Sequence, residues 1–228
     1  MKSSKDESVK ESTKRDFPKP YVIAITGVTN SGKTTVSNAI IDMIKETFGT
    51  IENIVALVSQ DSYYKGGNKD TNYDKPESID FEFMIQQIQQ LMNNEVIDLP
   101  MYDFTTHNRT KETKKMGPAK IIIIEGILIL TQKELCDLCD LRIFIDSHPE
   151  LVYIRRLKRD MEERGRTIDE INEQYFRDVL PSSYQLVKPT ADLCHIVLKN
   201  NTHNEFVGLE ILLDWIKIKI KRLVKKKK

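Results

Sequence analysis

Gly27-Val28-Thr29-Asn30-Ser31-Gly32-Lys33-Thr34 sets two glycines, a lysine and a hydroxyl residue at the spacing of a phosphate-binding loop. In such a loop, successive backbone N–H groups and a helix N-terminus surround a polyphosphate. The lysine ammonium sits between the β- and γ-phosphates, and the hydroxyl ligates Mg²⁺. The candidate phosphate-binding residues are therefore Gly27, Val28, Thr29, Asn30, Ser31, Gly32, Lys33 and Thr34, with the adjoining Thr35. Two acids stand where they could serve the same chemistry. Asp61 follows an apolar run that reads as a strand, and open α/β sheets bind ligands at that end of their strands. Glu125 interrupts the apolar run Ile121 to Leu130, where an isolated acid needs an explanation, and it is a candidate for the Mg²⁺ shell beside Thr34.

These residues need a scaffold, and the hydrophobic pattern supplies one. Val22 to Thr26, Ile54 to Ser59, Ile121 to Ile124, Leu141 to Ile145 and Ile196 to Leu198 read as strands buried on both faces. Between them, Val36, Ile40, Ile44 and Phe48 share a helix face closed by Gly49, and Phe81, Ile85, Ile88 and Met92 share another. Leu151, Ile154, Leu157 and Met161 predict a third face, ending at Gly165. Thr167 with Glu170 predicts a capping box that opens a fourth helix carrying Ile168, Ile171 and Tyr175. A last helix carries Leu209, Leu212, Ile216 and Ile220. Strands alternating with helices argue for an α/β fold, a mostly parallel sheet with helices on both faces. The stretch 98–118 fits neither period and is expected to form a small extended insertion.

Composition narrows the class. With 228 residues, 39% of them hydrophobic, nine glycines and eight prolines, the chain is a globular protein of about one domain. Residues 21–214 hold 21 basic against 30 acidic residues, a net of minus nine, while residues 215–228 hold eight basic and none acidic. An acidic body repels a phosphate backbone, so no nucleic-acid partner is expected, and the lysine run at the end reads as a solvated tail. No apolar stretch approaches the roughly 20 residues of a membrane span, and residues 1–20 read as a disordered polar arm rather than a secretory signal, so no membrane partner and a cytoplasmic location are expected. Cys136, Cys139, Cys194 and His195 could be drawn as a zinc site, but the adjacent Cys194-His195 pair has no spacer to let both side chains converge, so ordinary thiols are expected.

A GTPase would show Asp-x-x-Gly after a strand and Asn-Lys-x-Asp, whereas Asn68-Lys69-Asp70 runs into Thr71, so a small-molecule kinase is the better reading. The remaining tracts carry a resemblance. They are Ser59-Gln60-Asp61-Ser62-Tyr63-Tyr64, Tyr73-Asp74-Lys75-Pro76, Pro100-Met101-Tyr102-Asp103-Phe104 with His107 and Arg109, Glu125-Gly126-Ile127-Leu128, and Arg155-Arg156-Leu157-Lys158-Arg159-Asp160 through Glu163-Arg164-Gly165-Arg166. In order and spacing, from about Tyr21 to Asn204, they resemble the phosphoribulokinase/uridine kinase family.

That resemblance implies a P-loop NTP hydrolase-like kinase domain over 21–215, with a helical lid at about 155–175 and a C-terminal helix end and tail over 216–228. It implies ATP (or GTP) and Mg²⁺ as cofactors and a pyrimidine nucleoside, uridine or cytidine, phosphorylated at its 5′-hydroxyl. Asp61 would be the base, with Lys33 and Arg166 as the other catalytic residues. Tyr64, Asp74, Tyr102, His107, Arg156, Arg166 and Gln174 would bind the nucleoside, Asp74 through the ribose hydroxyls and Tyr102 and His107 through the base. Arg159 and Arg164 would serve the triphosphate, and a homotetramer is implied. Two alternatives stay open: a nicotinamide riboside kinase, which the Val28-Thr29-Asn30 tract resembles, and a nucleotide-binding regulatory protein without catalysis.

Overall fold

The computed structural model describes residues 19–68, 70–201, 206 and 208–225. Most of the polar arm and the last three lysines lie outside the described residues. The chain runs β1 (Tyr21–Gly27), α1 (Lys33–Phe48), β2 (Val55–Ser59), α2 (Phe81–Met92), β3 (Ile97–Asp103), β4 (Asn108–Met116), β5 (Ile121–Glu125), α3 (Lys133–Leu138), β6 (Leu141–Asp146), α4 (Pro149–Arg164) and α5 (Ile168–Gln174). Wider helical turns follow around α6 (Leu180–Ser182), then β7 (Ile196–Lys199) and α7 (Leu209–Lys225).

Five strands form one parallel sheet in the order β2-β5-β1-β6-β7. β1 is central, and its side chains alternate between two cores. Val22 and Ala24 join Val58, Ile122, Ile124, Met84, Ile88 and Leu91 on one face. Ile23 and Ile25 join Val36, Ile40, Ile44, Ile143, Leu212 and Ile216 on the other, so α1 and α7 cover that side. Burial on both faces explains why these strands read as unbroken apolar runs. In register, Ile25, Ser59 and Glu125 stand side by side, so the loops after β1, β2 and β5 open together at the carboxyl ends of the strands.

Residues 97–116 form a two-stranded antiparallel sheet, β3 with β4, separate from the main one. Arg109 fastens it: its guanidinium donates to the Tyr63 and Tyr64 carbonyls and to Asp80. The capping box at Thr167 and Glu170 forms with both reciprocal hydrogen bonds, and α1 closes at Gly49 in the left-handed conformation, φ 74°.

One amphipathic assignment is corrected. α4 buries Val152, Arg156 and Asp160, whereas Ile154 is 59% and Met161 45% exposed. The 3.6-residue period was legible, but the inward face is charged, because α4 lies over the cleft described next and its buried charges are neutralised there. Ile168 of α5 is likewise exposed, while Ile171 and Tyr175 are buried.

Candidate active site

The loop edge of the sheet opens into a cleft of about 1040 Å³. All the site residues predicted from sequence line it except Gly27, Val28 and Ser31, which lie buried beneath as the floor of the phosphate-binding loop. Gly27 and Gly32 have φ of 143° and 104°, which side chains rarely adopt. A Cβ on Gly27 would also fall 2.3 Å from the Ile145 carbonyl oxygen, and one on Gly32 2.7 Å from the Asn200 amide. Asn200, at the end of β7, donates to the Ser31 carbonyl at 2.8 Å and holds the loop from behind.

Lys33 donates to the Gly27 and Val28 carbonyls at 3.1 and 2.9 Å, so its ammonium crowns the loop. Burial lowers its pKa to about 8, against the pull of Asp61 and Glu125. Asp61 sits on the helical turn that Ser59 caps after β2. It is exposed where it lines the cleft; desolvation by the cleft walls raises its pKa while Lys33, Arg164 and Arg159 act to lower it. This mutual coupling puts the lysine and the acid on the same stretch of cleft.

Glu125 ends β5 with its carboxylate held on both oxygens. Ser37 donates to Oε2 at 2.7 Å, and Thr34 approaches Oε1 at 3.4 Å. Among the described residues no cluster of three His, Cys, Asp or Glu could hold a metal by itself. A hydroxyl and one carboxylate beside a phosphate-binding loop are hard oxygen donors, the set that suits Mg²⁺ when phosphates and waters complete its shell. These residues fit the ion.

The far wall of the cleft is aromatic. Tyr64 makes edge contacts with Tyr73 at 5.5 Å and tilts against Tyr102 at 5.3 Å, and Tyr73 stacks on His107 at 5.3 Å and 18°. The Tyr102 hydroxyl is buried near Tyr73 without meeting a partner at hydrogen-bonding geometry. Asp74 lies below this wall, 8% exposed; burial raises its pKa and the nearby Arg156 opposes that rise. A flat heteroaromatic ring and a polyol fit between such a wall and such an acid.

The third side comes from α4 and α5. Arg156, 6% exposed, donates to Thr29 at 3.3 Å and to Gln174 at 3.0 Å, and Arg166 donates to the same Gln174 oxygen at 2.7 Å. Arg164 lies over the Phe104 ring at 4.8 Å. Sequence reasoning had singled out these arginines but missed Asp160, which ion-pairs with Arg156, Arg159, Arg164 and Arg166. It also missed Tyr73, whose stacking on His107 depends on the hairpin's placement, and Ser37. The only local signal for Ser37 was a polar residue inside the apolar face of α1. The three cysteines are free thiols whose sulfurs point to the Leu130, Leu135 and Thr190 carbonyls.

The model of the Phosphoribulokinase / Uridine kinase family matches residues 22–206. The chain is similar to the uridine kinase of Streptococcus gordonii, 36% identical over 214 residues that cover 91% of this chain and 97% of that one. It is 38% identical over 205 residues to the uridine kinase of Oceanobacillus iheyensis, covering 87% and 94%. Among solved structures, one described as a fructose transport system kinase of Silicibacter superposes with a TM-score of 0.64 at 19% identity, over 80% of this chain and 91% of that one. A possible uridine kinase of Bacillus stearothermophilus gives 0.52 at 18% identity, over 80% and 90%. These two likenesses show the fold alone.

Proposed function

This chain belongs to the phosphoribulokinase/uridine kinase family, and on that premise we propose that it transfers the γ-phosphoryl group of ATP to the 5′-hydroxyl of uridine or cytidine. The observation that carries the reading is the shared cleft: the phosphate-binding loop, an acid coupled to its lysine, and an aromatic wall with a second acid face one another. Relatives named uridine kinase over nearly the whole chain support the acceptor.

In this mechanism the loop amides and Lys33 hold the triphosphate. Asp61 accepts the proton of the 5′-hydroxyl as its oxygen attacks. Asp74 accepts hydrogen bonds from both ribose hydroxyls, while Tyr102 and His107 receive the base, with Tyr64 and Tyr73 closing the wall behind it. Mg²⁺, when bound at Thr34 and Glu125, would neutralise charge on the phosphates. Arg159, Arg164 and Arg166 supply positive charge where the transferring group develops negative charge, and Arg156 and Gln174 steady the acceptor side.

The family resemblance extends the proposal to a cytosolic homotetramer, which light scattering tests. Among the described residues, no helix is long and apolar enough to cross a membrane. The decisive experiment is an ADP-release assay with Mg²⁺-ATP and a panel of uridine, cytidine, 2′-deoxyuridine and nicotinamide riboside. Turnover of the first two supports the proposal. Preference for nicotinamide riboside moves the acceptor, and no turnover with any member refutes the kinase.

A further inference from the structure

Asp160 is an acid with no exposed surface, on the face of α4 that Val152 and Arg156 also bury. It does not line the cleft. Around it stand four guanidinium groups, from Arg159 at 2.7 Å, Arg156 and Arg166 at 3.5 Å and Arg164 at 3.6 Å. Its backbone carbonyl also accepts the N–H groups of Gly165 and Arg166, which fixes the turn that returns the chain from α4 to α5. One carboxylate oxygen makes short bonds to Arg159, while the other is held by charge at longer range. Burial acts to raise its pKa, but the arginines hold it below the ordinary carboxylate range.

The four arginines do not share one target. Arg159 lines the cleft and couples to Lys33, which puts it on the phosphate side, while Arg164 couples to Asp61 and lies over Phe104 of the hairpin. Arg156 couples to Asp74, which puts it on the acceptor side, while it also donates to Thr29 of the phosphate-binding loop and shares the Gln174 oxygen with Arg166, so Arg166 stands between the two sides. Four like charges gathered over one cleft repel one another. Without an anion among them, these long side chains would spread toward solvent, and each would have to be reordered when substrate arrives.

We infer that Asp160 is a positioning residue: it holds the phosphate-side and acceptor-side arginines in one preset array and so couples the two substrate sites through a carboxylate that touches neither substrate. The inference rests on the phosphotransferase reading above and adds to it where the coupling resides. Preorganisation of charge is worth most when it is complete before binding, and a displacement of about 1 Å far from the reacting atoms can lower turnover about a hundredfold.

The test is a double-mutant cycle between Asp160→Asn and Arg159→Gln, read in two ways. Calorimetry measures Mg²⁺-ATP binding, and steady-state assays with uridine measure kcat and both KM values. In the unmodified protein Arg159→Gln should weaken Mg²⁺-ATP about tenfold, as expected for loss of a charged hydrogen bond to phosphate. In the Asp160→Asn background the same change should weaken it less than about twofold, because the arginine is no longer held in place. Asp160→Asn alone should lower kcat and raise both KM values, while Asp160→Glu, which keeps the charge, should recover part of each.

Additive effects on Mg²⁺-ATP binding would overturn the inference, as would an Asp160→Asn protein that melts earlier but keeps normal kinetics below its melting point. If Asp160→Asn does not fold, the same binding cycle is run between Asp160→Glu and Arg159→Gln: non-additive effects on Mg²⁺-ATP binding support the inference, and additive effects refute it. The binding cycle stands even if uridine proves not to be the acceptor, so failure of the kinase reading and failure of the coupling are separately visible.

Discussion

The Ser37 hydroxyl, one turn beyond the phosphate-binding loop, donates a 2.7 Å hydrogen bond to Glu125 Oε2 across 88 positions of sequence. This bond leaves the other oxygen facing Thr34. Ser37→Ala should therefore free the Glu125 carboxylate to rotate, at a cost of about 1 kcal/mol in its positioning. Mg²⁺ titrations of activity should show a higher half-saturating concentration with uridine KM unchanged. An unaltered Mg²⁺ dependence would remove Ser37 from the site.

Lys33 is the single ammonium of the loop, and Lys33→Ala should abolish measurable phosphoryl transfer while the protein remains folded. Its pKa of about 8 gives a second readout. The charged form binds phosphate, so kcat/KM for ATP should fall as pH rises through about 8 in the free protein. Bound triphosphate favours the charged form, and kcat at saturating ATP should stay level to higher pH.

Asp61→Asn preserves shape and removes the proton acceptor. A loss of about a hundredfold or more in kcat is expected for a general base. Because desolvation in the cleft raises the Asp61 pKa although the residue is exposed there, the acid limb of the unmodified profile should lie above the ordinary carboxylate range, with activity lost as pH falls through it. A change confined to KM would make Asp61 a binding residue.

If Asp74 accepts both ribose hydroxyls, uridine should be preferred over 2′-deoxyuridine, since the analogue leaves a buried carboxylate oxygen unpaired at about 1 to 3 kcal/mol. Asp74→Ala should flatten that preference. Competition assays with the two nucleosides measure it directly, and equal kcat/KM in the unmodified protein would falsify the ribose role.

His107→Ala removes one ring of the stack that Tyr73 completes. Uridine and cytidine KM should rise severalfold, within the 0.5–1.5 kcal/mol typical of an aromatic pair, while the preference for ribose over deoxyribose persists. Steady-state kinetics on both nucleosides separate this outcome from a general loss of folding.

Much of this protein was legible in its residues because the signals are local. Two glycines and a lysine at fixed spacing make a phosphate cradle wherever a strand leads into a helix, and that strand and helix announce themselves by period. Apolar runs such as Ile121 to Ile124 require burial on both faces, which calls for a parallel sheet between helices. What local pattern cannot carry is which distant charges will meet. The period of α4 pointed Ile154 and Met161 inward, yet tertiary structure turned Arg156 and Asp160 inward, because over this cleft the Asp160 carboxylate pairs with Arg156 and three further arginines. Likewise Ser37 met Glu125, and Tyr73 met His107, only once strand order and the anchoring of the hairpin by Arg109 had brought them together. Periodicity reports where apolar surface must go. A buried charge is tolerated only beside its partner, and that partner is chosen by the fold.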